Sequence, residues 1–350
     1  MPDSLKNILI IKPSSLGDIV LALPALTTLR NSFPNAKISW LIRSEFAPLL
    51  KNHPHLTETI LFERNLLAKA WYKPHAFAKL WSLIQRLRNE KFDIVIDLQG
   101  LFRTAVLAML SGCPVRFGMK NAREFAGLFY THRISQNSDS IHLVDYYVNI
   151  AKAAGAQKTT VQFVLPVDAE AAASVNQLLL QHNVDKNHYV VFIPGSAHSD
   201  KCWPVEKFAA LAEKISSMFQ LPIILAGTKS EKNITEKLRA LAKVPIADFA
   251  GLTNLNELVA LLKSARLVVS NDTGPGHIAA ALGRPLVMMF SWSNPARIYP
   301  YGRKNCVVAI DPYTRGPQIK SDDPKHNVKN ISVDEVFAKV CEQLEAPSNG

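Results

Sequence analysis

A polar turn with two glycines stands out in the second half of the chain, in the sequence LVVSNDTGPGHIAAA. It follows an apolar segment over Arg266–Ser270 and leads into a run of small residues, which predicts a strand, a tight turn and a helix. The free N–H groups at the start of such a helix point at whatever occupies the turn. The turn is therefore suited to bind an anion, most simply a pyrophosphate. The alternative is that the glycines serve only to make the turn.

A second polar turn, KPSSLGD, follows the isoleucine-rich segment Asn7–Ile11. Its Asp18 lies just before a helix that is predicted to start with the apolar run IVLALPAL, and Leu23–Asn31 has helical spacing. Asp18 could cap this helix, an interaction worth about 1 kcal/mol. It could also be a general base at the mouth of a cleft, since a carboxylate can accept a proton from a hydroxyl group. The spacing of the residues alone favours the capping role.

Strands that alternate with helices must position these turns. Phe92–Asp97 (FDIVIDLQG) and Lys37–Ile42 are further strand-like segments of the first half. In the second half, the segments Tyr189–Ile193, Pro222–Ala226 and Arg266–Ser270 are followed by the turns PGSAHSDKCWP, GTKSE and NDTGPGH, and another strand is predicted over Pro285–Phe290. This βαβ rhythm predicts α/β domains with parallel sheets. Ligands of such sheets bind at the carboxyl ends of the strands, where these polar turns lie.

The length of 350 residues fits two domains better than one core. The polar, proline-marked stretch Val164–Asp168 and the helix predicted over Ala169–His182 place the boundary between domains at 1–165 and 166–330. A helix predicted over Val333–Leu344 makes 331–350 a C-terminal segment, for which packing back on the first domain is one option.

The positive charge of the chain is concentrated in its first half. Residues 1–166 contain 20 Lys and Arg against 11 Asp and Glu, a net charge of +9, whereas residues 167–350 contain 20 against 18, a net charge of +2. This asymmetry indicates either an anionic partner for the first half or a surface that only serves solubility.

The segment Leu66–Glu90 is both basic and aromatic. Two arrangements fit it: contact with a membrane or an acceptor, or an amphipathic helix pair that packs its aromatic side chains inward.

Several classes of protein are excluded by what the sequence lacks. The longest apolar runs are far shorter than the roughly 18 residues that span a bilayer, and the N-terminus has no cleavage site typical of a signal peptide. We therefore expect a cytoplasmic protein. The four cysteines have no C-x-x-C spacing, so we expect ordinary buried thiols rather than disulfides or a zinc site. No recognisable nucleic-acid-binding motif accompanies the charge, so no nucleic-acid partner is expected.

The motifs together resemble the bacterial lipopolysaccharide heptosyltransferases of glycosyltransferase family 9, most closely the heptosyltransferase I branch. The resemblance rests on KPSSLGDIVLALPAL, DIVIDLQGLFRTA, AREFAGLFY, DKCWP and SNDTGPGHIAAALGRP, and it extends from about Asn7 to about Pro300. It implies a GT-B fold, in which two Rossmann-like domains with parallel sheets face each other across a cleft. The donor is then bound mainly by the second domain and the acceptor by the first.

The reaction implied by the resemblance moves L-glycero-D-manno-heptose from ADP-heptose to a 3-deoxy-D-manno-octulosonic acid (Kdo) residue of the inner core. The anomeric centre is inverted in a single displacement, so one base suffices. The resemblance makes Asp18 that base and adds Lys201 as a catalytic cation for the leaving phosphates. No cofactor is implied. Since the chain has no D-x-D motif, no metal is expected either.

The same resemblance assigns the remaining site residues. Glu231 would hold the ribose hydroxyls, and the other donor-binding residues would be Ser196, Lys201, Asp272, Thr273, Gly274 and His277. The acceptor-binding residues would be Ser15, Gly17, Arg64 and Arg123. The anionic acceptor implied is Kdo-lipid A, with peripheral contact to the cytoplasmic face of the inner membrane. Where heptosyltransferase I has an arginine-rich stretch before K-A-W, this chain has RNLLA before Lys69-Ala70-Trp71 and keeps only Arg64, which leaves phosphorylated Kdo as an alternative acceptor.

Two other functions share this fold class. An NAD-dependent dehydrogenase needs its glycine fingerprint in the first βα turn, where this chain has KPSSLGD, so the G-x-G-x-x-A match at Gly274–Ala279 is weak evidence for one. A non-catalytic sensor of nucleotide sugars remains as an alternative, although such a protein does not need Asp18 as a base.

Overall fold

Both halves of the chain build a parallel β-sheet flanked by helices. The computed structural model describes residues 5–64, 69, 72–159 and 161–345. By their internal contacts these residues form two units, which divide between Pro166 and Val167.

The first unit contains a doubly wound sheet. Among its described residues the strands are β1 (Asn7–Ile11), β2 (Lys37–Arg43), β3 (Glu58–Phe62), β4 (Ile94–Asp97), β5 (Arg116–Met119) and β6 (His132–Ile134). The helices are α1 (Leu16–Ser32), α2 (Pro74–Asn89), α3 (Phe102–Leu110) and α4 (Leu143–Ala153), with 3₁₀ turns at Ala47–Leu50 and Ala126–Phe129. The strand order is β3-β2-β1-β4-β5-β6, and all pairings are parallel.

The second unit repeats this topology. Its described strands are β7 (Val190–Ile193), β8 (Ile223–Leu225), β9 (Ile246–Asp248), β10 (Leu267–Asn271), β11 (Leu286–Met289) and β12 (Val307–Val308). Its helices are α5 (Ala169–Gln181), α6 (Val205–Phe219), α7 (Lys232–Leu241), α8 (Leu255–Lys263), α9 (Gly274–Ala281), α10 (Pro295–Ile298) and α11 (Val333–Glu345), with 3₁₀ turns at Ser199–Lys201, Lys229–Glu231, Lys304–Cys306, Pro324–His326 and Val328–Asn330. The strand order is β12-β11-β10-β7-β8-β9, again parallel throughout.

The central strands are buried on both faces, which explains their apolar sequences. β4 (IVID), β7 (VVFI) and β10 (LVVSN) contain only buried residues, as expected for a parallel sheet covered by helices on both sides. The strand order reverses direction between β1 and β4 and between β7 and β10. In sheets of this kind, the crevice at such a reversal is where ligands bind.

The helix after β1 starts earlier than the sequence indicated. α1 begins at Leu16, and Ser15 is its N-cap residue. Asp18 is therefore not the N-cap residue but the third residue of the helix, where its carboxylate accepts from the N–H of Ser15 and so takes part in a capping box. Pro24 lies inside this helix, whose residues from Ile19 to Leu29 are buried.

The structure contradicts one of the two arrangements left open for the basic aromatic segment and corrects the expectation for two of the cysteines. Phe77 and Trp81 of α2 point into solvent rather than inward, and Leu66–Ala68, Ala70 and Trp71 of the basic aromatic segment lie outside the described residues. Cys113 and Cys306 are buried thiols, whereas Cys202 and Cys341 are only partly buried.

The C-terminal helix α11, for which the sequence left packing on the first domain as one option, contacts α6 and β11 of the second unit. None of the helices in the described ranges is long and apolar enough to cross a membrane.

Candidate active site

The side chain of Asn271 links the turns after β7 and β10 by hydrogen bonds. Oδ1 of Asn271, the last residue of β10, accepts a hydrogen bond from the backbone N–H of Trp203 at 3.0 Å. Its Nδ2 donates to the carbonyl of Pro194 at 2.8 Å. The polar turns PGSAHSDKCWP and NDTGPGH therefore meet at the carboxyl edge of the second sheet, where the sequence predicted a site.

A cation and a carboxylate lie buried together at this edge. Nζ of Lys201 donates to Oδ2 of Asp272 at 2.6 Å, and the hydroxyl of Ser293 donates to the same oxygen at 2.5 Å. Nε2 of His277 lies 3.6 Å from Oδ1 of Asp272. Burial alone would raise the pKa of Asp272, but His277 and Lys201 outweigh it and hold the pKa well below its usual range. Lys201 is thus fixed in place by a carboxylate that stays charged.

An aromatic ring completes this cluster. Nζ of Lys201 and Nζ of Lys320 each lie 4.5 Å from the centre of the Trp292 ring. The indole N–H of Trp292 donates to Oδ2 of Asp200 at 2.7 Å. Sequence reasoning missed Trp292, Ser293 and Lys320, because they follow the last recognised motif and carry no spacing signal of their own.

The start of α9 lies beside the cluster. Thr273 is the N-cap residue of α9, and its hydroxyl lies 3.1 Å from that of Ser270. The N–H groups of the first turn of a helix have no partner within the helix, so Gly274 presents one to an anion. Gly276 also allows close packing, since a Cβ there would lie 2.9 Å from Oγ of Ser270.

His277 has one ring nitrogen without a partner. The imidazole is buried, and among the described residues its Nδ1 makes no hydrogen bond. A buried ring nitrogen of this kind can still donate to or accept from a ligand.

The carboxylate of Glu231 is held by Thr228 and lies against Gly195. Its Oε2 accepts hydrogen bonds from the backbone N–H of Thr228 at 2.7 Å and from the Thr228 hydroxyl at 2.8 Å. Its Oε1 lies against Gly195, where a Cβ would overlap that oxygen. Ser196 follows directly, and its Oγ accepts from the N–H of His198 at 3.4 Å. Gly195 is a further site residue that the sequence analysis did not single out.

In the first unit, the carboxylate of Asp18 lies at the end of β1. Its Oδ2 accepts hydrogen bonds from the N–H of Ser15 at 3.2 Å and from the Ser15 hydroxyl at 3.0 Å. The Lys12 ammonium is 3.8 Å away. The side chain of Asp18 stays about one-third exposed, so it remains reachable from solvent. Gly17, beside it in the first turn of α1, is buried.

Lys12 is a buried cation that the sequence analysis did not assign. Its Nζ lies 5.4 Å from the centre of the Tyr147 ring. Burial alone would lower the pKa of Lys12, but the charge of Asp18 and a hydrogen bond with Tyr147 outweigh that effect, so the pKa is raised. Lys12 is therefore a permanent positive charge behind Asp18.

Four arginines lie at the carboxyl ends of the strands around β1. Arg43 ends β2, and Arg64 follows β3. On the other side of β1, Arg103 is in the first turn of α3 and Arg123 follows β5. Partial burial, followed by the charge of Arg64, lowers the pKa of Arg103, and Arg43 and Arg123 add to this effect. We call these four residues the arginine cluster. Ala70 and Trp71 of the K-A-W match lie outside the described residues.

The loop of Arg123 is held by a buried carboxylate. Asp97 accepts hydrogen bonds from the hydroxyl of Tyr130 at 2.8 Å and from the N–H groups of Gln99 and Gly100. The carbonyl of Gly100 in turn accepts from the N–H of Arg123 at 2.9 Å. Burial raises the pKa of Asp97, which is consistent with a structural role.

Metal ligands are not grouped in the described ranges: there, no three His, Cys, Asp or Glu side chains lie close enough to hold an ion. Lys201 and Lys320 place two positive charges in the cluster around Asp272 and Trp292.

The family model of glycosyltransferase family 9 (heptosyltransferase) matches residues 80–329, which is most of the chain. The chain therefore belongs to glycosyltransferase family 9. It is a glycosyltransferase with two Rossmann-like domains of the GT-B fold, as the resemblance in its motifs predicted.

Named relatives show what this chain is similar to. The lipopolysaccharide heptosyltransferase 1 of Escherichia coli K12 is 27% identical over 340 residues, which cover 95% of this chain and 99% of that protein. The lipopolysaccharide core heptosyltransferase OpsX of Haemophilus influenzae is 27% identical over 309 residues, which cover 87% of this chain and 84% of that protein. The solved structure of the E. coli heptosyltransferase WaaC with ADP-2-deoxy-2-fluoro heptose superposes with a TM-score of 0.73 at 25% identity, covering 96% of this chain and 99% of that one.

Proposed function

We propose that this enzyme transfers L-glycero-D-manno-heptose from ADP-heptose to a Kdo residue of the lipopolysaccharide inner core, with inversion and without a metal ion. The observation that carries the proposal is the position of Asp18. Its carboxylate is oriented by Ser15 and partly exposed at the end of the central strand β1, with two of the four arginines on either side. A proton acceptor is thus surrounded by groups that bind an anionic acceptor.

The base acts on the acceptor hydroxyl. As the oxygen of that hydroxyl attacks the anomeric carbon, its proton passes to the carboxylate of Asp18 and the bond from that carbon to the phosphate oxygen of ADP breaks. The electron pair of that bond leaves with ADP, so the sugar is inverted in one displacement. Ser15 and Lys12 hold the carboxylate in the orientation that receives the proton.

The donor-side residues suit a nucleoside diphosphate. Negative charge grows on the leaving phosphates, and the N–H of Gly274 at the start of α9 together with the ammonium of Lys201 can stabilise it. Since Lys201 is already anchored by Asp272, it needs no reorganisation when the phosphate charge develops. Glu231, with Oε2 held by Thr228, can accept hydrogen bonds from ribose hydroxyls. The fluorinated ADP-heptose in the WaaC structure supports the choice of donor.

The arginine cluster favours an acceptor with more than one negative charge. A guanidinium binds a carboxylate or phosphate through two parallel hydrogen bonds. Four guanidinium groups exceed what a single Kdo carboxylate requires. Kdo that carries a phosphate is therefore the second candidate acceptor.

The experiment that tests this function is incubation of the enzyme with ADP-heptose and de-acylated Kdo-lipid, with and without a phosphate on Kdo, followed by mass spectrometry. We expect the mass of one heptose to be added to the acceptor, at a rate unchanged by excess EDTA. Tight binding of ADP-heptose without transfer to either acceptor would indicate a nucleotide-sugar sensor. Activity lost in EDTA and restored by Mg²⁺ would contradict the metal-independent mechanism.

A further inference from the structure

A segment that follows β12 returns to the ring of Trp292 in the second unit. The N–H of Ser321 donates to the carbonyl of Trp292 at 2.8 Å. The preceding residue, Lys320, forms an isolated antiparallel bridge with Ser293. We call residues 315–321 the return segment. Its backbone runs beside the segment that follows β11, where the cluster around Asp272 lies.

Side chains hold the return segment at several points. Nδ2 of Asn294 donates to the carbonyls of Gly316 and Gln318, at 2.7 Å in each case. From the return segment, the guanidinium of Arg315 donates to the carbonyl of Ser293 at 2.8 Å. The backbone of the return segment is therefore fixed without any contribution from its lysine side chain.

The side chain of Lys320 shares an aromatic ring with Lys201. Nζ of each lysine lies 4.5 Å from the centre of the Trp292 ring. The two ammonium groups can therefore be no farther apart than twice that distance, a span that one diphosphate group can bridge. The attraction of each ammonium to the ring offsets part of the repulsion between the two charges.

The two lysines differ in how their charge is balanced. Lys201 is paired with Asp272 at 2.6 Å, whereas Lys320 forms no ion pair with any residue that the structure describes. Asp200, the other carboxylate at this ring, accepts the indole N–H of Trp292 at 2.7 Å. Lys320 is exposed, so its charge is open to a ligand. An ammonium group without a counter-charge, beside a second one, attracts an anion.

The proposed donor needs a second positive charge. The N–H of Gly274 and the ammonium of Lys201 are suited to one phosphate, but a nucleoside diphosphate carries two. During transfer the negative charge on the leaving diphosphate grows. Since the proposed reaction uses no metal ion, a side chain of the protein must supply the second charge. Lys320 is placed to do so.

We propose that Lys320 is a second phosphate-binding residue of the donor site, and that Trp292 positions the ammonium groups of both lysines. The inference rests on the donor side of the proposed function and adds two residues to it. Lys320 acts by its charge alone, so no proton moves to or from it. Its interaction with the diphosphate strengthens as the bond to the sugar breaks, because the electron pair of that bond stays on the phosphate oxygen.

The test is calorimetry of the full chain with ADP and with AMP. We expect Lys320→Met to bind ADP about ten-fold more weakly than the wild type, because a charge-assisted hydrogen bond to the second phosphate is lost. Its affinity for AMP should change little, since Lys201 and the start of α9 remain for a single phosphate. Lys320→Arg keeps the positive charge and should retain most of the affinity for ADP.

The matched control is Lys214→Met. The ammonium of Lys214 also lies against an aromatic ring of the second unit, 5.3 Å from the centre of the Phe337 ring, but on helices α6 and α11. This variant should bind both nucleotides like the wild type.

Trp292 is tested as a positioning residue. Trp292→Leu removes the ring, and we expect about ten-fold weaker binding of ADP with the affinity for adenosine unchanged. Trp292→Phe keeps a ring for the two ammonium groups and should recover most of the affinity for ADP. A merely structural role of Trp292 would weaken the binding of adenosine and ADP to the same extent.

The inference is overturned if Lys320→Met binds ADP as tightly as the wild type does, or if it loses the same affinity for ADP and AMP. It is also overturned if Lys214→Met loses as much affinity for ADP as Lys320→Met. If the wild type itself does not bind ADP, the donor side of the proposed function fails together with this inference. Tight binding of ADP by the wild type and by Lys320→Met alike would overturn this inference alone.

Discussion

Lys201 and Asp272 form a nearly buried ion pair at the edge of the second sheet, with Nζ 2.6 Å from Oδ2. Removing one partner of a buried pair leaves the other charge uncompensated, which costs about 3–5 kcal/mol. Lys201→Met should therefore lower the free energy of unfolding by about that amount. The double variant Lys201→Met/Asp272→Asn should be more stable than Lys201→Met alone. Denaturant unfolding of the wild type, Lys201→Met, Asp272→Asn and the double variant measures this coupling, and strictly additive effects would show that the two charges do not depend on each other.

The same lysine should distinguish phosphates from the nucleoside. Lys201→Met/Asp272→Asn is expected to bind ADP at least about ten-fold more weakly than wild type, because a charge-assisted hydrogen bond contributes about 1.5–3 kcal/mol. Binding of adenosine should change little. Calorimetry with both ligands measures the difference, and an equal loss for both would make the role of Lys201 purely structural.

Gly195 is predicted to be as important for donor binding as Glu231, because the absence of a side chain at Gly195 leaves room for the Glu231 carboxylate. A Cβ at Gly195 overlaps Oε1 of Glu231, so Gly195→Ala must displace the carboxylate. We expect both Gly195→Ala and Glu231→Gln to bind adenosine and ADP about ten-fold more weakly, with the same loss for both ligands. Gly127→Ala is the control, since a Cβ there makes only an ordinary contact at 3.8 Å. Unchanged affinity of Gly195→Ala for adenosine would show that Glu231 does not bind the ribose.

A buried histidine predicts how stability depends on pH. Nε2 of His53 lies 2.9 Å from the carbonyl of Val164 and Nδ1 accepts from the N–H of His55, so the neutral ring fits this site. Burial lowers the pKa of His53 to about 4. The unfolded chain binds the proton near pH 6.5, so stability is complete above that pH and is lost as the pH falls towards 4.

The expected loss between pH 8 and pH 5 is about 2 kcal/mol from His53. His53→Gln should reduce the dependence of unfolding free energy on pH in this window. It should not abolish it, because the pKa of His55 is also lowered by burial and by Arg30. Equal pH profiles for His53→Gln and wild type would show that His53 does not change its pKa on folding.

The arginine cluster and the lysines of α2 should respond differently to salt. With a water-soluble acceptor, Arg123→Gln is expected to raise the acceptor KM at every salt concentration, because it removes a direct contact. Neutralising Lys73 and Lys79, both exposed, should matter only at low salt, since exposed charges are screened beyond about 8 Å at physiological ionic strength. If the acceptor KM of the wild type, of Arg123→Gln and of the lysine variant does not change with salt concentration, the basic first half is an ordinary solvated surface.

The sequence predicted those parts of the fold that follow from local pattern. The β-branched runs at Asn7–Ile11 and Tyr189–Ile193 became central strands because only apolar residues can be buried on both faces. The polar turns after them lie at the carboxyl edges, as the topology requires.

Contacts between residues far apart in the chain could not be predicted from the sequence. The pairing of Gly195 with Glu231 and the stacking of Lys320 on Trp292 join separate turns, and no spacing rule connects them. The start of α1 was misplaced because Ser15 and Asp18 are both good capping residues, and only the backbone shows that Ser15 is the cap. Phe77 and Trp81 were hard to assign because they flank the buried stripe of α2.

The most direct test of the proposed mechanism is the rate of heptose transfer by Asp18→Asn. Asparagine can still accept the hydrogen bonds from Ser15, so the turn should be retained while the base is lost. Ser15→Ala is a useful comparison, because it keeps the carboxylate but removes the hydroxyl that donates to it. We predict that Asp18→Asn lowers kcat at least about 10²-fold with unchanged affinity for ADP, and that Ser15→Ala has a smaller effect. A folded Asp18→Asn enzyme with kcat within a few-fold of wild type would contradict the assignment of Asp18 as the base.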